Sequence, residues 1–335
     1  MLPSLVRLLI LVLVIGVAGA IAAGWAWHRF TGPGPLAEDR TVVIERGAGV
    51  SVIARRLTDQ GVVPDPWTLR AGLRLFAHNA PLKAGEYRFA AHISPRAVLD
   101  KLIAGDVVIR QVTIPEGLTT FQVLDLLAAA EGLEGTVATP PREGSLLPET
   151  YDYTLGDTRE MLIARMRKGM ESLLAELWPR HAPDLPLKSP EEAVILASIV
   201  EKETGIAAER PRVAAVFINR LKRGMPLQSD PTVIYGLTGG KAASIANGEG
   251  ILGRKLTHAD IETDHPYNTY RILGLPPGPI ANPGRASIEA VLNPPATTEL
   301  YFVADGSGGH AFATTLEEHN RNVARWRKLQ NGAGN

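Results

Sequence analysis

From Leu8 to Trp27 the chain carries no charged residue and is built mainly of Leu, Val, Ile, Ala and Gly. At ~1.5 Å rise per residue such a helix extends about 30 Å, the thickness of a bilayer's hydrocarbon core. Trp25 and Trp27 stand where an aromatic belt meets the headgroups. Arg7 and Arg29 bracket the run, and Arg7 with the amino terminus favours a cytoplasmic start. The expectation is a short cytoplasmic stretch over 1–7, a membrane anchor over 8–28 and a linker over 29–40. The stiff spacer Thr31-Gly-Pro-Gly-Pro35 falls within that linker. A cleavable signal is the alternative, because Ala18-Gly19-Ala20 resembles a processing site. The continuation of the apolar run through Trp27 favours the retained anchor. Either way the remainder of the chain folds outside the cytoplasm.

That remainder is polar enough to be soluble and apolar enough to fold, with 45% hydrophobic and 21% charged residues over the whole chain. Lys and Arg total 35 against 35 Asp and Glu, so there is no cationic excess to displace counterions from a nucleic acid. The chain has no cysteine, which removes disulfides, thiolate nucleophiles and Cys-ligated zinc.

Two stretches repeat. Thr41 to Leu57 reads TVVIERGAGVSVIARRL and Gln111 to Leu127 reads QVTIPEGLTTFQVLDLL, so Val42, Ile44, Gly47 and Leu57 recur as Val112, Ile114, Gly117 and Leu127. Each reads as a strand, a Gly turn and an amphipathic helix. Between them, 82–105 reads as a strand and then a helix opening at Ser94-Pro95. The region over 41–140 is therefore expected to be a small α+β module. Its pattern resembles LysM-like sugar-binding folds, and a spacer or docking module without a ligand is equally compatible.

Residues 134–144 read as a linker, and 141–330 as a larger α+β domain. Asp157-Thr158 opens a helix running to about Leu177. Ser189-Pro190-Glu191-Glu192 is a capping box that opens a helix apolar on all sides through Val200, hence buried. It ends in Glu201-Lys202-Glu203-Thr204-Gly205, with Gly205 expected as its C-terminal cap. Glu201 shares a face with Ala197 and Ser198. Burial and the negative end of the helix dipole both disfavour its ionised form, which is what a general acid requires. Glu203 points about 200° away. Solvated last-turn charges are the plainer reading of both.

A further helix over 208–223 carries Val213, Val216, Phe217, Arg220 and Leu221 on one stripe. After it, Gln228, Ser229, Asp230 and Thr232 form a polar cluster suited to sugar hydroxyls and acetamides, or to capping the segment that contains Tyr235. A Gly/Ala-rich excursion, expected to be mobile, follows over 239–253. The rigid loop with Tyr267, Asn268 and Tyr270 suits stacking on sugar rings and amide recognition, or burial of its tyrosines. His258, Asp260, Glu262, Asp264 and His265 match no metal-ligand spacing. Ser307 and His310 lack a nucleophile elbow. Thr315 and Glu318 read as a capping box for the last helix.

Five blocks then carry a resemblance: EGSLLPETY (143–151), ILASIVEKETG (195–205), ERPRVAAVFINRLKRGMPLQSDPTVIYG (209–236), HPYNTYRILGLPPGPIANPG (265–284) and GSGGHAFATTLEEHN (306–320). In this order they resemble the MltG/YceG-like family of endolytic peptidoglycan transglycosylases. Departures are Leu147, where the family often has an aromatic residue, and His265 in place of Ser. The resemblance implies a single-pass inner-membrane protein with its catalytic domain in the periplasm. Its substrate would be nascent glycan strands, cleaved without water between N-acetylmuramic acid and N-acetylglucosamine to leave 1,6-anhydro ends. It also implies Glu201 as the catalytic acid, no cofactor and no metal, and action beside peptidoglycan synthases. A muramidase-type hydrolase and a non-catalytic wall-binding scaffold are the competing readings.

Overall fold

The computed structural model describes residues 4–241 and 252–332. The chain is α+β, with helices and, among the described residues, three small two-stranded sheets, and it divides into two compact units.

The first unit takes residues 1–110 together with 153–156. Its α1 (Ser4–Thr31) is followed by β1 (Arg40–Ile44), α2 (Val50–Asp59), α3 (Pro66–Phe76), β2 (Gly85–Phe89) and α4 (Pro95–Ala104). In α1 the segment Val6–Thr31 is long and apolar enough to cross a membrane, and none of it is packed inside the protein along its most apolar stretch. β1 and β2 pair antiparallel with Val42 opposite Tyr87. Val42 and Ile44 point inward while their neighbours do not, the period-two pattern of a half-buried strand. They close a core with Ile53, Leu57, Leu69, Tyr87, Phe89 and Leu99. α4 opens where the sequence placed it, with the Ser94 side chain accepting from the Ala97 N–H at 3.2 Å. α3 is an element the periodicity did not reveal. Its signal was Asp65-Pro66, and Asp65 accepts from the Thr68 N–H at 2.9 Å. The expected spacer is partly built into the unit: α1 runs to Thr31, and Phe30 and Leu36 are core residues.

The second unit takes residues 111–152 and 157–335. The second copy of the repeat falls here, as β3 (Arg110–Thr113) and α5 (Thr120–Ala129). β3 pairs with β4 (Thr150–Tyr153). Next come α6 (Arg159–Leu177), α7 (Pro190–Glu203), α8 (Arg210–Lys222), α9 (Asp230–Thr238), α10 (His258–Glu262) and α11 (Arg285–Leu292). A hairpin of β5 (Tyr301–Ala304) and β6 (His310–Ala313) and the final α12 (Leu316–Gly332) complete it. The 239–253 excursion lies, apart from its ends, outside the described residues.

α7 is the axis of this unit. Leu196, Ala197, Ile199 and Val200 are fully buried and pack with Val213 and Phe217 of α8 and Val291 of α11. A helix with no polar face can be stable only when surrounded, as the sequence required. Its one mid-helix hydroxyl is satisfied twice: Ser198 donates to Ile195 O at 2.7 Å and accepts from the Ile280 N–H at 3.0 Å. The C-terminal end differs from expectation. Thr204, in extended conformation, closes the helix, and Gly205 takes no left-handed role.

Candidate active site

The last turn of α7 presents its two glutamates to different surroundings. Glu201 is buried, its side chain 5% exposed. Arg210 from α8 donates to its Oε1 at 3.2 Å and the Gly284 N–H to its Oε2 at 2.9 Å. Arg210 also faces Glu116 at 3.6 Å. A guanidinium and a backbone donor thus occupy the two oxygens of Glu201, the residue that the sequence put forward as the acid. Its neighbours make it a clamp between α7, α8 and the start of α11. Burial and the Glu201 charge push the Glu116 carboxyl upward.

Glu203 faces the other way, toward the loop before α9. Its carboxyl is pushed up to about 7, chiefly by burial, with the Asp230 charge adding to the rise and the Ser229 hydroxyl, His310 and Arg220 opposing it. Ser229 Oγ donates to Glu203 Oε1 in a short hydrogen bond. Ser229 occupies the N-cap of α9 yet caps nothing with its side chain, because that side chain is spent on Glu203. Its backbone N–H donates to Thr269 Oγ1 at 3.0 Å, and Thr232 Oγ1 donates to Ser229 O at 2.7 Å.

The flanks of Glu203 are polar and open. Gln228 is exposed and held at φ +54, a left-handed value that costs a non-glycine residue about 1 kcal/mol. Its N–H donates to Thr269 O at 3.0 Å and its Oε1 accepts from Arg220 Nη1 at 3.3 Å. Arg220 is itself buried, donating to Leu300 O at 2.7 Å and Leu227 O at 2.8 Å. The exposed Asp230 accepts from the Tyr270 hydroxyl at 2.6 Å, and burial with that carboxylate raises the Tyr270 phenol. Behind this group His310 Nδ1 lies 2.6 Å from Glu209 Oε2, within hydrogen-bond distance, and its backbone N–H donates to Glu209 Oε1 at 2.9 Å.

Ser229, Asp230 and Tyr270 thus gather around Glu203, while Gln228, next to Ser229, is held by Arg220 and Thr269. Thr232 and Asn268 do not offer their side chains to a ligand. Both are fully buried, and Asn268 donates to Ile261 O and Thr263 O, each at 2.7 Å. Tyr235 and Tyr267 form a separate pair, their ring centroids 4.9 Å apart. Tyr235 donates to Glu143 Oε2 at 3.3 Å. Glu143, absent from the candidates read in the sequence, also accepts from Thr120 N–H at 2.8 Å and Asn282 Nδ2 at 3.2 Å, and burial raises its carboxyl. The only sequence signal for it was its place at the head of the EGSLLPETY block. Of the acidic residues weighed as metal ligands, Asp260 is spent on Arg254 and on the Thr257 cap of α10.

A family model described as YceG-like matches residues 42–325. An endolytic murein transglycosylase of Bacillus subtilis is 39% identical over 54% of this chain and 47% of its own length. One of Streptococcus pneumoniae is 29% identical over 85% of this chain and 58% of its own. This chain thus spans about half the length of those curated relatives. A crystal structure of a YceG-like protein from Listeria monocytogenes aligns over 85% of this chain and 99% of that one, at 30% identity and a TM-score of 0.49. With that match covering residues 42–325, well over half of the sequence, the chain belongs to the YceG-like family.

Proposed function

We propose that this protein is an endolytic murein transglycosylase whose acid is Glu203. The observation that carries the reading is a carboxyl held at about 7 by burial and bordered by the exposed Gln228 and Asp230. A group that titrates near ambient pH can both give and take a proton. Protonated Glu203 donates to the glycosidic oxygen between N-acetylmuramic acid and N-acetylglucosamine, and the C1–O4 bond breaks. The resulting carboxylate takes the proton of the muramyl C6 hydroxyl as that oxygen bonds to C1. A 1,6-anhydro end forms, no water is consumed, and Glu203 regains its proton. The internal nucleophile has a large effective concentration, so one carboxyl suffices. The name endolytic murein transglycosylase carried by the relatives, and the family membership, support the general activity. α1 supports a single-pass protein of the inner membrane, with the site on the periplasmic side beside the machinery that makes its strands.

A hydrolytic reading has one observation in its favour. The Asp230 carboxylate is close enough to Glu203 to raise it, and two carboxyls with a water between them are the usual glycosidase arrangement. Mass analysis of strands released from purified peptidoglycan separates the two. Anhydro ends are expected. Reducing ends would transfer the role of base to Asp230 and a water, and no release at all would favour a wall-binding scaffold.

A further inference from the structure

The first unit carries an apolar surface that the glycan chemistry does not use. α1 packs on α3 and α4. Phe30 of α1 is 4% exposed and stacks on Phe76 with centroids 5.2 Å apart. The helices approach closely at Gly72, where a Cβ would stand 2.2 Å from Phe30 Cε2. The end of α1 is therefore seated on α3 and does not hang from a tether. Counting from Leu8, the first residue after Arg7, about 20 residues cross a hydrocarbon core, so the core ends near Trp27. That level coincides with a groove of 870 Å³ between the end of α1 and α3, walled by Trp25, Trp27, Trp67, Leu75 and Phe76.

On α3, Trp67, Ala71 and Leu75 fall on one stripe. Trp67 is 71% exposed, Leu75 67% and Phe76 49%, so this is a large apolar face turned to solvent. Its rim is cationic. Arg70 lies over Trp67 at 4.7 Å, Arg96 over Trp27 at 5.9 Å and Arg29 over Trp25 at 5.3 Å, while Arg74 is exposed on α3. The acids nearby are already paired: Asp65 with Arg29 at 3.0 Å and Asp100 with Arg96 at 3.8 Å. Large apolar side chains bordered by arginine, level with a bilayer's edge, make an interfacial face.

We propose that this face is a docking surface for anionic phospholipid, with Trp67, Leu75 and Phe76 immersed at the headgroup boundary beside the emerging α1 and Arg70 and Arg74 on the phosphates. The unit is then laid on the membrane as well as anchored through it. Because the chain has no cysteine, Leu75→Cys and Val52→Cys each create a unique labelling position, Val52 being an exposed α2 residue away from the groove. The full chain, nitroxide-labelled at one or the other, is reconstituted into phosphatidylcholine vesicles with and without phosphatidylglycerol. Collisions with oxygen are compared with those of a water-soluble nickel chelate.

The label at position 75 is expected to favour oxygen at least threefold more than that at 52 in the anionic vesicles. Arg70→Glu with Arg74→Glu, both exposed and outside the core, should return it toward the value at 52. A position-75 label as water-accessible as position 52 would overturn the proposal. Equal immersion without phosphatidylglycerol would overturn the headgroup assignment. Dipolar broadening that disappears on dilution with unlabelled protein would assign the face to a second copy of this chain instead.

Discussion

Glu203 accepts from the hydroxyl of Ser229, which stands at the N-cap of α9 and would otherwise cap that helix, and this contact ties the titration of the carboxyl to stability. Its carboxyl sits at about 7 in the folded chain against 4.5 unperturbed. Between those values the unfolded chain has ionised while the folded chain keeps its proton, so stability falls as pH rises through that window. The full penalty is reached above 7 and amounts to at most about 3 kcal/mol, lessened by the partial exposure of the residue. Glu203→Gln, which cannot ionise, should therefore match the wild type in thermal denaturation at pH 5 and melt higher than it at pH 8. Cleavage by the wild type should fall on the alkaline side of about pH 7. Removing the hydroxyl by Ser229→Ala deletes a contact that lowers the carboxyl, so that alkaline limb should move to higher pH in a pH–rate profile.

At the level of elements, α7 was legible because three independent signals coincide: a capping box, a proline in the first turn and an unbroken apolar run. The run announces burial, and burial of both glutamates at its end follows from it. What the sequence could not supply was the partner of each glutamate. Arg210 reaches Glu201 from α8 and Gly284 from the start of α11, contacts across nine and 83 positions of chain. Helical phase separated the two acids correctly, but only tertiary partners decide which carboxylate is supported. The same holds for Thr232 and Asn268, whose polar types suggest ligand contact until their burial is seen. α3 buries Leu69, Gly72 and Leu73 while Trp67, Leu75 and Phe76 stay exposed, so its large apolar residues do not mark its buried face. Close backbone packing also escapes a sequence reading. Gly144 sits at φ +74, where a Cβ would stand 2.6 Å from Pro279 Cγ. Gly144→Ala should destabilise the chain by about 1–3 kcal/mol in denaturant unfolding, through strain and overpacking together.

Over the whole molecule, the α+β class read from the sequence holds, with an N-terminal helix long and apolar enough to cross a membrane. The second repeat copy shows how sequence similarity and spatial grouping can part: β3 and α5 echo β1 and α2, yet they group with the larger unit, where Gly117 packs within 3.4 Å of Glu201 if given a Cβ. Strand–turn–helix segments share a pattern because local physics favours it, and grouping is set by what each buried face meets. The central claim is that Glu203, and not its buried neighbour Glu201, moves the proton. Digestion of purified peptidoglycan by Glu203→Gln and Glu201→Gln, each checked for a folded circular dichroism spectrum, tests it most directly. Glu203→Gln should lose about 10²–10⁴-fold of the cleavage rate with its melting temperature kept. Glu201→Gln should keep measurable cleavage while melting lower, because Arg210 loses its charged partner. Retained cleavage by Glu203→Gln, with abolition in a fully folded Glu201→Gln, would contradict the account.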